Sequence, residues 1–283
     1  MVCFVPTLEI PSGTIAYDER GSGPTIVMLP SGAHNRHDFD ELRALLPGDL
    51  RTVAIDWPAH GESPPGAEPG SAMQLATVAE EVVEHLAPDG AIVLGNSVGG
   101  FSAARMAIRR PELVKGLVIV DGGGFTGAPP YVRAFCALMS NPSFLRIIYP
   151  AFSKRYMRSR TDADRRAQAT GVATTRRNPG LRAVAELWRS FASPEHDLRS
   201  QAASIEAPTL VIWGKRDPVI PLKAGRRIAA TIPSARLVVM DTGHVPHTSE
   251  PERFAAELLP FVQSVFAGQL STEDRATGAG MRD

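Results

Sequence analysis

The chain has 283 residues, 43% hydrophobic and 21% charged, a composition typical of a globular domain with a large core. Lys plus Arg and Asp plus Glu both number 30, so the formal net charge is zero, and neither nucleic acid nor a membrane is expected as a partner. The N-terminus does not resemble a signal peptide, and no apolar run approaches the roughly 20 residues that cross a bilayer. We therefore expect a cytoplasmic protein.

Two segments at the start of the chain flank Ser12-Gly13 and predict an antiparallel hairpin. After them, short runs rich in Val, Ile and Leu recur without polar alternation, which is typical of parallel strands buried on both faces. The hairpin segments are 8–11 and 14–19, and the buried runs are 25–30, 52–56, 91–95, 117–121, 209–214 and 236–241.

Helical patterns separate these strands, and the alternation predicts an α/β fold with a mostly parallel sheet of about eight strands and flanking helices. Core helices are expected at 71–86, 97–109, 222–230 and 252–266, and four more at 131–139, 142–158, 162–171 and 181–191. The last four lie in a stretch without strands, which predicts an inserted helical cap. The expected domains are a core of residues 1–125 and 204–267, a cap of residues 126–203, and a disordered tail of residues 268–283.

The segment Gly95-Asn96-Ser97-Val98-Gly99 follows a buried strand and begins a helical pattern, which is the context that a G-x-S-x-G motif requires. A sharp turn from strand to helix brings the positions two before and two after the serine together, so both must be glycine. The turn exposes the serine hydroxyl at the sheet edge, and the helix N-terminus supplies amide donors. The motif therefore predicts Ser97 as a nucleophile; the alternative is a glycine-rich turn without chemistry.

A serine nucleophile needs a base that takes its proton. His244 follows the last predicted strand and lies at the same carboxyl edge of the sheet as Ser97, so it is the predicted base. The alternatives are the other histidines in loops at that edge, of which the first is His247, followed by His34, His37 and His60. His85 and His196 fall on helical patterns and are expected at the surface.

The base in turn needs a carboxylate that fixes its tautomer. Asp217 and Asp121 each follow a predicted strand and lie at the correct edge. Asp217 is predicted because it is nearer to His244 in the sheet and gives the chain order Ser, Asp, His. The alternative for either residue is a loop aspartate that accepts backbone amides.

Four segments resemble motifs of the α/β-hydrolase family. They are 56–63, similar to D-x-x-G-H-G-x-S with Ala59 in place of the first glycine; 95–100, the nucleophile turn; 214–221, similar to G-x-x-D-x-x-x-P; and Gly243-His244 with Glu250-Pro251, similar to the ending of the family pattern. The resemblance spans about residues 8 to 266 and is weakest in the cap. It implies the α/β-hydrolase fold and a Ser–His–Asp triad.

The loop after the third strand departs from this family, which usually has His-Gly there. This chain has Pro30-Ser31-Gly32-Ala33 instead. An oxyanion hole needs one backbone amide from this loop and one from the residue after the nucleophile. The predicted donors are the amides of Ala33 and Val98.

The predicted chemistry is acyl transfer to Ser97, with His244 as base and water releasing the acyl group from a small-molecule ester or related substrate. No metal ion or organic cofactor is expected. The nucleophile turn also resembles that of hydrolases that cleave carbon–carbon bonds. A cofactor-free haloperoxidase-like enzyme, a lyase and a ligand-binding protein on the same scaffold are further alternatives. Ser97 argues against dehalogenases and epoxide hydrolases, which have aspartate at this position.

The cap is predicted to cover Ser97 and to form the apolar wall of the substrate pocket. The predicted substrate-binding residues are Phe135, Leu138, Met139 and Phe144. The alternative is that these side chains pack one cap helix against another. Residues 131–200 also hold 13 Lys and Arg against 5 Asp and Glu, for which we expect solvated helix faces or, as the alternative, attraction of anionic substrates.

Only two cysteines occur, Cys3 and Cys136, in no metal-binding spacing and in no disulfide framework. Each is predicted to be a small buried hydrophobe, and a disulfide between them is the less favoured alternative.

Overall fold

A central sheet organises the protein, which we describe from a computed structural model over residues 5–68 and 70–277. Its strands in these ranges are β1 (Thr7–Ile10), β2 (Gly13–Arg20), β3 (Thr25–Leu29), β4 (Arg51–Ile55), β5 (Ala91–Asn96), β6 (Val114–Val120), β7 (Thr209–Gly214) and β8 (Ala235–Met240). They form an 8-stranded sheet in the order β1-β2-β4-β3-β5-β6-β7-β8. β2 pairs antiparallel with β1 and β4, and the other pairs are parallel. The predicted sheet and its N-terminal hairpin are confirmed.

Both faces of the parallel strands are buried, as the uninterrupted apolar runs predict. In β5, Val93 belongs to the apolar cluster on one face, whereas Ile92 and Leu94 belong to the cluster on the other. Successive side chains of a strand point to opposite faces, so a strand that is covered on both sides has no place for polar alternation.

Helices cover the two faces of the sheet and extend beyond one edge. They are α1 (Asp40–Ala44), α2 (Ala72–Leu86), α3 (Val98–Arg109), α4 (Pro130–Met139), α5 (Pro142–Met157), α6 (Asp162–Arg176), α7 (Gly180–Ser190), α8 (Leu222–Thr231), α9 (Pro246–Ser249) and α10 (Pro251–Thr277). Each predicted helix corresponds to one of these, while the short α1 and α9 were not predicted. We call α4 to α7, which lie between β6 and β7, the cap helices.

Local capping fixes where several of these helices begin. The Ser71 side chain accepts a hydrogen bond from the amide of Gln74 and caps α2. Thr161 and Asp164 form a reciprocal capping box at the start of α6. Such caps satisfy amides that have no partner within the helix, so they set the helix start independently of packing.

The C-terminal helix α10 extends to Thr277, into the segment 268–283 that was expected to be disordered. Residues 278–283 lie outside the described residues, as does Cys3, and the disordered tail stays a prediction. Cys136 is buried with a free thiol. In the part of the chain that the structure describes, no helix has both the length and the apolar character to cross a membrane.

The strand register aligns the carboxyl ends of the central strands. Asn96 at the end of β5 lies opposite Val120 of β6, and Val120 lies opposite Ile212 of β7. Gly214, which ends β7, lies opposite Met240 of β8. The loops that follow these strands therefore meet at one edge of the sheet, where an open α/β sheet places its ligand site.

Candidate active site

Ser97 lies in a sharp turn between β5 and α3 with φ 57° and ψ −113°, a backbone conformation that side-chain-bearing residues rarely adopt. A Cβ atom added at Gly95 would lie 2.1 Å from the carbonyl oxygen of Gly99. A Cβ atom added at Gly99 would lie 2.2 Å from the carbonyl oxygen of Leu29. The expectation that both flanking positions require glycine is therefore confirmed, because backbone atoms fill the space where a side chain would stand.

His244 and Asp217 form a buried hydrogen-bonded pair in the loops after β8 and β7. The distance from His244 Nδ1 to Asp217 Oδ2 is 2.6 Å. The other oxygen of Asp217 accepts the amide of Val219 at 2.7 Å. Since a carboxylate only accepts, Nδ1 of His244 carries the proton, and in the neutral imidazole Nε2 is then the basic atom.

The backbone of His244 is held on both sides. The Asn96 side-chain amide donates to the carbonyl oxygens of His244 and Val120, both at 3.0 Å. The amide of His244 donates to the carbonyl oxygen of Tyr156 at 3.0 Å, and the Tyr156 ring meets the imidazole edge-on with centroids 5.6 Å apart. Asn96 therefore links the turn at Ser97 to the loop that carries His244.

Ser97 and His244 both line one cavity of about 360 Å³ under the cap helices. Among the hydrogen bonds of the described residues, none joins the Ser97 hydroxyl to His244. Hydrogen bonds between nucleophile and base are often long in ligand-free sites and tighten when substrate binds. The structure thus places the two predicted groups at the same cavity without joining them.

Asp121, the alternative acid, lies beside this pair. Oxygen atoms of Asp121 and Asp217 and a ring nitrogen of His244 all lie within 4.8 Å of one another. The amide of Gly214 donates to both oxygens of Asp121, at 3.0 and 3.2 Å. Burial, together with the charge of Asp217, raises the pKa of Asp121 well above its usual value. The carboxylate that contacts the imidazole is therefore Asp217.

The loop after β3 differs from the predicted oxyanion arrangement. The Ala33 amide donates to Nε2 of His60 at 3.2 Å, and Nδ1 of His60 lies 2.9 Å from the carbonyl oxygen of Pro58. His60 therefore engages the amide that was predicted to face the substrate, and Ala33 does not line the cavity. Gly32 and Val98 do line it, and in the described residues neither of their amides has an acceptor.

Comparison with known proteins decides the family. A model of the alpha/beta hydrolase family matches residues 26–257. The chain belongs to this family. The predicted family, fold and hydrolase class are thereby confirmed.

Two curated relatives of this hydrolase differ in the reactions their names describe. A 2-hydroxy-6-oxononadienedioate/2-hydroxy-6-oxononatrienedioate hydrolase of Pseudomonas putida is 30% identical over 268 residues, which cover 87% of this chain and 91% of the relative. A pimeloyl-[acyl-carrier protein] methyl ester esterase of Shewanella sp. (strain MR-7) is 27% identical over 258 residues, which cover 87% and 93%.

Solved structures agree with the fold of this hydrolase. A hydrolase from Pseudomonas aeruginosa PA01 has a TM-score of 0.80 at 25% identity, with 93% of this chain and 99% of that chain covered. An esterase from Exiguobacterium antarcticum has a TM-score of 0.81 at 20% identity, with 92% and 100% covered, and supports the fold alone.

The cavity wall of the hydrolase is mostly apolar and comes from both the core loops and the cap helices. Phe135 is the one predicted substrate-binding residue that lines it. Leu138 is 47% exposed, and Met139 and Phe144 pack among the cap helices instead. The other large lining side chains are Tyr131, Tyr149, Phe152, Tyr156, Leu187, Trp188 and Phe191.

His196 is a lining residue that the sequence reasoning placed at the surface. It lies in the 3-10 turn Pro194–His196, and its ring contacts Phe101 and Phe191 with centroids 4.6 and 5.0 Å away. Burial lowers its pKa to about 4, so the ring is neutral near pH 7. A short turn begun by proline carries no periodic signal, and nothing in the sequence pattern indicated this position.

The alternative base, His247, is a core residue. It is buried and stacks on Phe39 with ring centroids 4.6 Å apart, and neither ring nitrogen has a hydrogen-bond partner in the described residues. Burial lowers the pKa of His247 to about 4. His37 is half-exposed and pairs with Asp40 at 2.9 Å, outside the cavity lining.

Among the described residues, two clusters have ligand atoms close enough for a metal ion, but their hydrogen bonds argue for other roles. The first consists of Asp121, Asp217 and His244, where Nδ1 of His244 already donates to Asp217. The second consists of Asp18, His37 and Asp40 near the surface, where Arg20 and Arg36 pair with the two carboxylates. The absence of a metal or cofactor stays a prediction.

Proposed function

We propose that this hydrolase cleaves carboxylic esters with a small, uncharged acyl group, through a covalent acyl–enzyme on Ser97. The observation that carries the proposal is the shared cavity of Ser97, in its strained turn, and His244, with Nδ1 held by Asp217 at 2.6 Å. These are the nucleophile, base and orienting acid that acyl transfer requires.

The reaction begins when Nε2 of His244 takes the proton of Ser97 and the serine oxygen attacks the ester carbonyl. Amides of Val98 and Gly32 are the donors for the oxyanion, since both residues line the cavity and neither amide is engaged within the described residues. His244 then protonates the leaving alkoxide. A water molecule, deprotonated by His244, attacks the acyl carbonyl and releases the carboxylic acid and Ser97.

The side chains of the cavity wall restrict the charge that a bound substrate can carry. Among the residues that line it, none is Lys, Arg, Asp or Glu, and aromatic and aliphatic side chains predominate. A carboxylate buried there would have no cation to pair with, which is strongly unfavourable. The wall therefore supports a neutral acyl group, with Phe135 as one of its contacts.

Carbon–carbon bond hydrolysis is the second candidate, favoured by the relative from Pseudomonas putida whose name describes such a dioate substrate. A dioate carries two carboxylates, for which this cavity wall offers no cationic partner. Activity on 2-hydroxy-6-oxononadienedioate above that on p-nitrophenyl butyrate would favour this candidate over the ester.

The deciding experiment combines pre-steady-state kinetics with covalent labelling. An activated ester such as p-nitrophenyl butyrate should give a burst of nitrophenol equal to the enzyme concentration. A fluorophosphonate probe should label the wild type and not Ser97→Ala. Ser31→Ala is the matched control, since Ser31 also lines the cavity. Labelling that persists in Ser97→Ala, or that is lost in Ser31→Ala alone, would reject the proposal.

A further inference from the structure

A second histidine–aspartate pair lies close to the active site and is not explained by acyl transfer. Nδ1 of His34 lies 2.6 Å from Oδ2 of Asp38. Nε2 of His34 lies 2.7 Å from the hydroxyl of Tyr156, and that hydroxyl lies 2.7 Å from the hydroxyl of Tyr149. All four side chains are buried. His34 and Asp38 belong to the loop after β3, whereas both tyrosines lie on α5.

The hydrogen bonds that connect Asp38, His34, Tyr156 and Tyr149 run in one direction. Asp38 accepts from Nδ1 of His34, so in the neutral imidazole Nε2 accepts from the hydroxyl of Tyr156. The Tyr156 oxygen then accepts from Tyr149. Burial raises the pKa of both phenols above the usual value, so both keep their protons and donate. Each donor in the chain therefore has a partner, which orients the side chains strongly.

Within this hydrogen-bonded chain, Tyr156 is the residue that contacts His244. Its carbonyl oxygen accepts the amide of His244 at 3.0 Å, and its ring stands edge-on to the imidazole. At Gly243, an added Cβ would lie 2.2 Å from the same carbonyl oxygen. The end of α5 and the histidine loop are therefore in direct backbone contact.

At the other end of this hydrogen-bonded chain, His34 lies in the loop that carries Gly32. The amide of His34 donates to the carbonyl oxygen of Ser31 at 3.3 Å and closes the turn around Gly32. Ser31 and Gly32 both line the cavity. The hydrogen bonds thus connect the loop of the proposed oxyanion donor with the loop of the proposed base.

We propose that His34, Asp38 and Tyr156 form a positioning network that holds the catalytic histidine and the oxyanion loop in register. The inference rests on the proposed function of Ser97 and His244. Tyr156 does not take part in bond making; it fixes the position of His244, through its carbonyl oxygen and ring, and His34 and Asp38 fix Tyr156. Small displacements of a general base are costly for rate because proton transfer requires hydrogen-bond distance.

Tyr156→Phe tests the network, since it removes the hydroxyl and keeps the ring and the backbone carbonyl. We expect kcat on p-nitrophenyl butyrate to fall about tenfold while KM changes less than about twofold. Ser153→Ala is the matched control: it removes a buried hydroxyl from the same helix, but that hydroxyl donates to the carbonyl oxygen of Pro150 and Ser153 does not line the cavity. It should stay within about twofold of wild type in both constants.

His34→Gln and Tyr156→Phe should be coupled. Each alone lowers kcat, and the double variant should be no slower than the slower single variant, because both remove the same support. Amide hydrogen exchange of the segment 241–246 supplies a readout that needs no substrate. Exchange should be faster in Tyr156→Phe than in wild type or Ser153→Ala, because the Tyr156 carbonyl oxygen that accepts the His244 amide is no longer held by the hydroxyl of its side chain.

The outcomes separate this inference from the proposed function. If the wild type gives no burst and Ser97 is not labelled, the ester mechanism is wrong, and hydrogen exchange alone decides whether the network holds the histidine loop. If the wild type is active but Tyr156→Phe matches Ser153→Ala in kcat and in exchange, the hydrogen-bonded chain has only a structural role and the inference is overturned.

Discussion

The carboxyl groups of Asp121 and Asp217 meet beside His244, with oxygen atoms within 4.8 Å of one another. Asp217 contacts the imidazole, while Asp121 accepts the amide of Gly214. Burial and the charge of Asp217 raise the pKa of Asp121 well above its usual value, which favours the neutral form of Asp121. Asp217 is the carboxyl group that is placed to pair with the imidazole.

Substitution by asparagine should distinguish these two residues. Asp217→Asn removes the charged acceptor of His244 and should lower kcat by about 10³-fold or more. Asp121→Asn keeps the shape of a side chain that does not bond to the imidazole, so kcat and its pH profile should stay within about threefold of wild type. The measurement is kcat/KM on p-nitrophenyl butyrate from about pH 5 to pH 9, with circular dichroism to verify folding. A larger loss in Asp121→Asn would mean that Asp121 carries the charge.

Protonation of His247 should make the fold less stable in acid. Its folded pKa is about 4, below the value near 6.5 of the unfolded chain, so unfolding takes up a proton between these values. Stability should therefore rise as the pH increases through this range. In His247→Phe, the gain in unfolding free energy between about pH 5 and pH 7 should be smaller than in wild type by on the order of 1–2 kcal/mol.

Urea denaturation at both pH values measures this effect of His247. His85→Gln is the control, at an exposed position on α2. An unchanged pH dependence in His247→Phe would show that this ring is protonated equally in the folded and unfolded chains.

Truncation of Phe135 should change acyl-chain preference. Phe135 lines the cavity and contacts the rings of Phe152 and Trp188. Phe135→Ala removes a ring from the wall and enlarges the cavity. The acyl chain of the preferred p-nitrophenyl ester should therefore lengthen by about two carbons. Leu138→Ala, on the same helix but outside the cavity lining, should leave the preference unchanged. Equal chain-length profiles in all three proteins would place the acyl group elsewhere.

Neutral esters should be preferred over anionic ones of equal length. The cavity wall lacks a cation, so mono-p-nitrophenyl succinate should react at least about tenfold more slowly, in kcat/KM, than p-nitrophenyl butyrate. A second, open cavity of about 490 Å³ shares Pro218 with the first and is lined by Lys154, Arg155, Arg158, Arg160 and Arg216. A preference for succinate that fades with added salt would show that these cations attract substrate instead.

Local rules made the turn at Ser97 predictable. The steric argument for Gly95 and Gly99 uses only the geometry of one turn, and the structure confirms it. The strands were predictable for a similar reason, since burial on both faces leaves a continuous apolar run, as in β5. The loop at 56–63 has a local contact as well, since Asp56 accepts the amide of Glu62 at 2.8 Å.

Contacts between residues that are far apart in the sequence could not be predicted from it. Helical periodicity marks an apolar face but not what covers it, so Leu138 and Phe135 were indistinguishable on α4. Both are partly exposed, but only Phe135 lines the cavity. The contact between His34 and Tyr156 joins residues 122 positions apart. The engagement of the Ala33 amide by His60 likewise depends on how two loops meet.

The backbone contact between α5 and Gly243 restricts how the cavity exchanges its contents. A movement that lifted α5 off the core would break the hydrogen bond from the His244 amide to Tyr156 and release the histidine loop. An open form made in this way would also be catalytically incompetent, so an acyl–enzyme exposed to bulk water during such an opening would have no general base to hydrolyse it. Under the proposed mechanism, deacylation therefore requires α5 to be in contact with the histidine loop.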